Sequence, residues 1–142
     1  MIWKQKPSLE MINSSGIKTL VHHLGIKFIE VGDNYLKATM PVDERTQQPM
    51  GLLHGGASVS LAETLGSVAS VCIVDNPFET PIVGVEINAN HLNSAKEGYV
   101  IGKVTPIKIG KRLHVWNIAI TDESGLAICT SRLTTLVLSK TP

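Results

Sequence analysis

Two short runs of alternating apolar and polar residues, Ile26 to Val31 and Tyr35 to Met40, flank Gly32-Asp33-Asn34 in the first third of the chain. Alternation with a period of two turns one face of each run toward a core, and the glycine-asparagine turn between them predicts a β-hairpin. Pro41 ends the second strand, and the polar, proline-punctuated stretch from Asp43 to Met50 predicts a loop. From Gly55 to Val74 the spacing becomes that of a helix. Past Pro81 the strand period returns, with Val83, Val85, Ile87 and Ala89 on one side and Gly84, Glu86, Asn88 and Asn90 on the other. Three more strands, Tyr99 to Ile109, Leu113 to Thr121 and Ala127 to Leu138, are separated by Gly110-Lys111-Arg112 and Asp122-Glu123-Ser124-Gly125, turns short enough for antiparallel neighbours. Upstream, Ser8 is placed to N-cap a first turn, and Gly16 to Leu24 reads as a short helix that Gly25 stops.

Two strands, one long helix and four strands leave a single helix to serve a largely antiparallel sheet. That predicts an α+β fold in which the sheet wraps around a central helix, the hotdog arrangement. The chain of 142 residues buries its own core, and residues 1–142 are expected to form one domain. On a helical wheel Gly56, Val59, Ser60, Gly66, Ser67 and Ser70 fall within about 60° of Glu63, while Leu61, Leu65, Val68 and Cys72 lie opposite. The large side chains therefore face the sheet, and a stripe of small residues around Glu63 is left for a ligand or a second backbone.

Composition removes several functions. A formal charge of +1, 18% charged residues and scattered cations argue against a nucleic-acid surface. The start of the chain has no apolar h-region, so the cytoplasm is the expected location, and Cys72 and Cys129 are expected to be reduced core thiols. The segment Gly55 to Val74 is too rich in serine and glycine to span a membrane, and a lone glutamate there would cost roughly 2.5 to 3.5 kcal/mol. His22, His23 and His114 lack metal-ligand spacing with any Cys or carboxylate cluster, so neither a metal nor another cofactor is expected.

Glu63 is the only formally charged side chain from Thr46 to Val74. Burial of a carboxylate is costly, which makes it a candidate catalyst with a perturbed pKa. The bland reading is a charge neutralised by a Lys or Arg across an interface. Gly55 and Gly56 open the helix, where bare amides and the macrodipole make an oxyanion site. At 1.5 Å per residue, however, Gly55 and Glu63 are about 12 Å apart along the helix. One carbonyl cannot touch both, so the site is expected to be shared by two subunits with antiparallel helices related by a two-fold axis.

The run Gln48-Pro49-x-Gly51-Leu52-Leu53-His54-Gly55-Gly56-Ala57, followed by Leu61-Ala62-Glu63-Thr64-Leu65-Gly66-Ser67, resembles the acyl-CoA thioesterases of the hotdog superfamily, including the 4-hydroxybenzoyl-CoA thioesterase type that uses Glu. Met1 to Lys4, Ala38 to Asp43, Glu86 to His91 and Ser131 to Thr135 extend the resemblance over nearly the whole chain. It implies that Glu63 is the catalytic carboxylate, acting as nucleophile or general base, and that the Gly55 amide binds the thioester oxygen. His54 and Gln48 lie nearby by the same comparison, and Ser67 places the carboxylate or a water. The resemblance further assigns Gly84, His91, Leu92, Asn93 and Ser94, and the turn Lys108, Ile109, Gly110, Lys111 and Arg112, to the acyl-CoA substrate. It implies a homo-oligomer, a dimer of dimers in many members. The chain differs in the longer stretch Asp75 to Pro81 and around the coenzyme turn. Ordinary readings stand beside these: His54 as a helix cap, Ser67 bonding its own backbone, Gln48 as loop surface and the three cations as a solvated turn. Rival functions are hydrolysis of a thioester on an acyl carrier protein, and a binding module that performs no chemistry.

Overall fold

The computed structural model describes residues 1–138. The elements run α1 (Leu9–Ser15), α2 (Leu20–His23), β1 (Lys27–Val31), β2 (Leu36–Pro41), α3 (Gly55–Val71), β3 (Ile82–His91), β4 (Tyr99–Ile109), β5 (Leu113–Asp122) and β6 (Ala127–Val137). The strands form one antiparallel six-stranded sheet in the order β1-β2-β4-β5-β6-β3. The hairpin closes where Gly32 N–H donates to the Tyr35 carbonyl at 2.9 Å, and Val31 then faces Leu36. After β2 the chain crosses the sheet as α3, lays β3 on the far edge and returns to place β4 beside β2. This is the α+β hotdog architecture, with α3 as the central helix.

The period-two pattern supplies the sheet side of the core. Leu36, Ala38 and Met40 of β2, Val100 and Val104 of β4, and Trp116, Ile118 and Ile120 of β5 are fully buried. Leu61, Ala62, Leu65 and Ala69 of α3 are equally buried against them. At 17 residues α3 gains its stability from this apolar face rather than from its glycines and serines, which are poor helix formers. Gly102 lets the helix approach closely, because a side chain there would collide with Leu65.

Three expectations need correction. The helix expected over Gly16 to Leu24 shrinks to the single turn Leu20–His23. Ser8 Oγ accepts from Met11 N–H at 3.1 Å and caps α1, which Gly16 closes. Lys18 then takes a left-handed φ of 62°, which no helix continues through, so only the single turn of α2 follows before Gly25, at φ 67°. The central helix ends at Val71, ahead of Val74, with Cys72 as its C-cap. Finally, Gly66 and Ser70 do not belong to the Glu63 stripe. The curved sheet covers more than half the helix circumference, so Gly66 faces Leu133, and Ser70 is sealed beneath α3.

Ser70 anchors a buried polar network that the wheel did not foresee. Trp116 Nε1–H donates to Ser70 Oγ at 2.7 Å, and Ser70 Oγ and Thr135 Oγ1 share a hydrogen bond of 2.7 Å. The network ties α3 to β5 and β6 at a fixed rotation. At the other end of the core, Asn13 imitates a strand neighbour, donating to the Phe28 carbonyl at 3.0 Å and accepting from its N–H at 2.9 Å, which fastens α1 to β1. Trp3, buried to 2% exposure, donates to the Gly32 carbonyl at 2.7 Å and secures the N-terminus to the hairpin.

Replacing Ser70 with Ala strands the Trp116 indole N–H in the core. Ser70→Ala is expected to cost about 1–3 kcal/mol, read as a lower denaturation midpoint with an unchanged slope.

Candidate active site

The loop before α3 is held by its own hydrogen bonds. Buried Thr46 donates from Oγ1 to the Pro41 carbonyl at 2.7 Å, and its carbonyl accepts from His54 N–H at 2.8 Å. Leu53 N–H donates to the Ala95 carbonyl at 2.8 Å. Gln48 and Leu52 close a turn with Gly51 at φ 76°, and the Gln48 side-chain oxygen accepts from Met50 N–H. His54 is thereby delivered to the N-cap of α3 with extended backbone.

The four free amides at this helix start have unequal fates. His54 Nδ1 accepts from Gly56 N–H at 2.8 Å, and the His54 carbonyl accepts from Ala57 at 2.9 Å and Ser58 at 3.2 Å. The expectation that both glycine amides stand bare is therefore corrected: the imidazole takes that of Gly56. Only the Gly55 N–H meets no acceptor among the described residues, at the positive end of the helix dipole. It opens into a cleft of about 320 Å³ whose lining includes Gln48, Gly55, His91, Leu92, Asn93 and Ser94. The segment after β3 is pinned by Leu92 N–H to the Ile128 carbonyl at 2.8 Å and by Asn93 Nδ2 to the Ala127 carbonyl at 2.8 Å.

Glu63 lies elsewhere on the same helix, half-buried, with its carboxylate directly over Gly84 of β3. A side chain at position 84 would collide with Glu63 Oε1, so glycine is the residue that admits the carboxylate. Burial pushes the carboxyl pKa up, and a hydrogen bond from Ser67 partly offsets that rise. No cation pairs with Glu63 among the described residues. Ser67, Gly84 and Glu63 thus form one cluster, and Gln48, His54, Gly55 and residues 91–94 form another. About 12 Å of helix separates them.

The turn Lys108 to Arg112 is not in the cleft with His91. Gly84 pairs with Thr135, which pairs with His114 just past the turn, whereas His91 pairs with Cys129 at the other end of the ladder. Seven ladder positions correspond to about 23 Å, so the turn belongs to the Glu63 end. Lys108, Lys111 and Arg112 form no ion pair among the described residues. His114, read in sequence only as a poor metal ligand, supports this turn. Its buried ring donates to the Gly110 carbonyl, its Nδ1 has no partner among the described residues, and burial pushes its pKa down, the hydrogen bond partly opposing this. The alternation that places Trp116, Ile118 and Ile120 inward was the signal for it.

A polarised amide at a helix start and a cation-free carboxylate, carried on one hotdog helix, are equipment for acyl transfer. Residues 50–129 match the family model of the thioesterase superfamily, and the chain belongs to that family. It is a thioester hydrolase. The chain is 54% identical over 138 residues to a 1,4-dihydroxy-2-naphthoyl-CoA hydrolase of Escherichia coli, covering 97% of this chain and 100% of that one. It is 49% identical to the proofreading thioesterase EntH of Cronobacter turicensis, over 97% of this chain and 99% of the relative. A crystal structure of a mutant thioesterase PA1618 from Pseudomonas aeruginosa superimposes with a TM-score of 0.94 at 44% identity, covering 97% of this chain and 99% of that one.

The raised pKa of Glu63 means that ionising it opposes folding. Its favourable contribution is complete below the unfolded-state value of about 4.3 and is lost as pH rises through the higher folded value. Glu63→Gln lacks this titration. Thermal melts are expected to show the variant gaining stability relative to wild type between pH 4 and pH 7; a constant difference would contradict the shift.

Proposed function

We propose that the protein hydrolyses acyl-CoA thioesters to a carboxylic acid and free coenzyme A, with aromatic acyl groups such as 1,4-dihydroxy-2-naphthoyl, or a hydroxybenzoyl group, as its substrates. The single observation behind this reading is the pairing of a free Gly55 amide with a half-buried, cation-free Glu63. The E. coli relative named for 1,4-dihydroxy-2-naphthoyl-CoA, alike over its whole length, supports the aromatic substrate and with it a place in menaquinone synthesis.

The distance between the two groups defines the catalytic unit. Two α3 helices set antiparallel about a two-fold axis bring Gly55 of one subunit to Glu63 of the other and create two equivalent sites. Strand β3 suits such a dimer: it is a ten-residue edge strand with one neighbour, and Val83 and Val85 are 39% and 52% exposed. A bare edge of this length is a template for strand pairing. Pairs of dimers complete the homotetramer.

In the shared site the thioester oxygen accepts from Gly55 N–H. Glu63 delivers an oxygen nucleophile to the carbonyl carbon, either its own or that of a water it deprotonates. The charge formed on the carbonyl oxygen rests on the amide, and its collapse breaks the C–S bond and expels the coenzyme thiolate. If Glu63 itself attacks, water then cleaves the acyl-glutamyl anhydride to the acid and the free carboxylate; if water attacks, the proton Glu63 has taken passes to the thiolate or to solvent. A thiolate leaves readily, so no serine triad is needed. Ser67 holds the carboxylate, Gly84 admits it, His54 shapes the helix start, and Gln48 lines the carbonyl side. Residues 92–94 of one subunit and the Lys108 to Arg112 turn of the other receive the coenzyme, whose phosphates match three cations.

Glu63→Gln is expected to lower kcat by about 10³-fold or more in a thiol-release assay while the oligomer persists. Retention of most activity would sink this reading, and hydrolysis of the same acyl group only when carried on an acyl carrier protein would redirect it. Gly55→Pro removes the amide donor at a position where proline suits a helix, and its Cβ also displaces the His91 ring, so it disables the whole Gly55 side of the site. Refolding it with Glu63→Gln in equal amounts should restore about a quarter of wild-type activity, because half the dimers are hybrids with one intact site. No recovery would place both groups in one subunit's site.

A further inference from the structure

Gly55 is covered by an imidazole. A Cβ built on Gly55 would stand 2.7 Å from Nε2 of His91, with Cε1 and Cδ2 next at 3.0 and 3.2 Å. Since a residue's Cβ lies about 2.5 Å from its own nitrogen, His91 Nε2 is at most about 5.2 Å from the Gly55 nitrogen. One oxygen can accept from two donors at about 2.9 Å each only if those donors are less than about 5.8 Å apart. The two nitrogens meet that condition within a single chain, on the walls of a single cleft.

Both donors are also unspent. The Gly55 N–H has no acceptor among the described residues, and the His91 ring bonds no protein group there. His91 is the last residue of β3, so the ladder to Cys129 fixes its backbone while its side chain stays exposed at the cleft. The neighbouring imidazole, His54, is committed to Gly56 and cannot take this role. The absence of a side chain at Gly55 thus has a chemical consequence: it keeps the His91 nitrogen beside the amide.

We infer that His91 is a catalytic residue of the thioesterase reaction, donating from Nε2 to the same thioester oxygen that Gly55 N–H receives. This rests on the acyl-CoA thioesterase reading above and deepens it. A coenzyme contact by His91 would lower KM and leave kcat unaltered. A second donor to the carbonyl oxygen strengthens as negative charge builds there, so it acts on kcat.

The test compares wild type, Glu63→Gln, His91→Phe and His91→Gln in one thiol-release assay with a benzoyl-CoA substrate, with each variant's melting temperature recorded. Phenylalanine fills the ring space over Gly55 without a donor, and glutamine returns an N–H near the Nε2 position. The expected result is a kcat about 10²-fold lower for His91→Phe with KM within about threefold of wild type, and recovery by His91→Gln to within about tenfold. A higher KM at unchanged kcat for His91→Phe would overturn the donor role and leave a coenzyme contact. Equal damage in the Phe and Gln variants would overturn it as well. Either failure, with wild type active and Glu63→Gln inactive, leaves the thioesterase reading standing. A wild type that releases no thiol overturns both.

Discussion

The helix α3 is a rigid ruler, and most of what this protein can do depends on its length. Its apolar face is clamped by the sheet, and its rotation is set by the Ser70, Trp116 and Thr135 hydrogen bonds. With rotation and rise both fixed, an amide at its start and a carboxylate eight residues on keep about 12 Å of helix between their backbones. The chain therefore holds the Gly55 amide and the Glu63 carboxylate at separate places on one helix, and the proposed reaction needs both. In the function proposed above a second copy brings them together, which makes assembly part of the proposed chemistry and not only a source of stability.

Glycine serves this design by permitting contact. At Gly55 it leaves room for an imidazole beside the free amide, and at Gly84 it leaves room for the carboxylate against the sheet. In both places the partner is a titratable side chain that any Cβ would push aside. The same helix start shows how capping and catalysis divide the available donors. His54 and its carbonyl take three amides into structure and leave the fourth to chemistry.

Much of this was legible in the sequence. Strand alternation located all the strands of the sheet, because half-buried strands advertise their inner face with period two. Glu63 was visible as the one charge in an apolar run, and helix geometry alone separated it from Gly55. The failures have physical causes. The shortening of the helix expected over residues 16–24 to Leu20–His23 depends on the left-handed backbone at Lys18, which a non-glycine residue does not signal. Ser70 and Gly66 were misplaced because a wheel assumes a flat neighbour, whereas this sheet curls around the helix. The closeness of His91 to Gly55 is a long-range contact between a strand end and a helix start, and no local spacing encodes it.

The sheet order has a further consequence for how the chain is made. Strand β3 is translated before β4 and β5, yet its sole neighbour is β6, which begins 36 residues after β3 ends. During synthesis it waits on the order of seconds with both edges bare. Its outer row of Glu86, Asn88 and Asn90 offers charge and amides in place of an apolar ribbon. Polar residues of this kind on an exposed strand face disfavour association of a strand that still lacks its ladder partner.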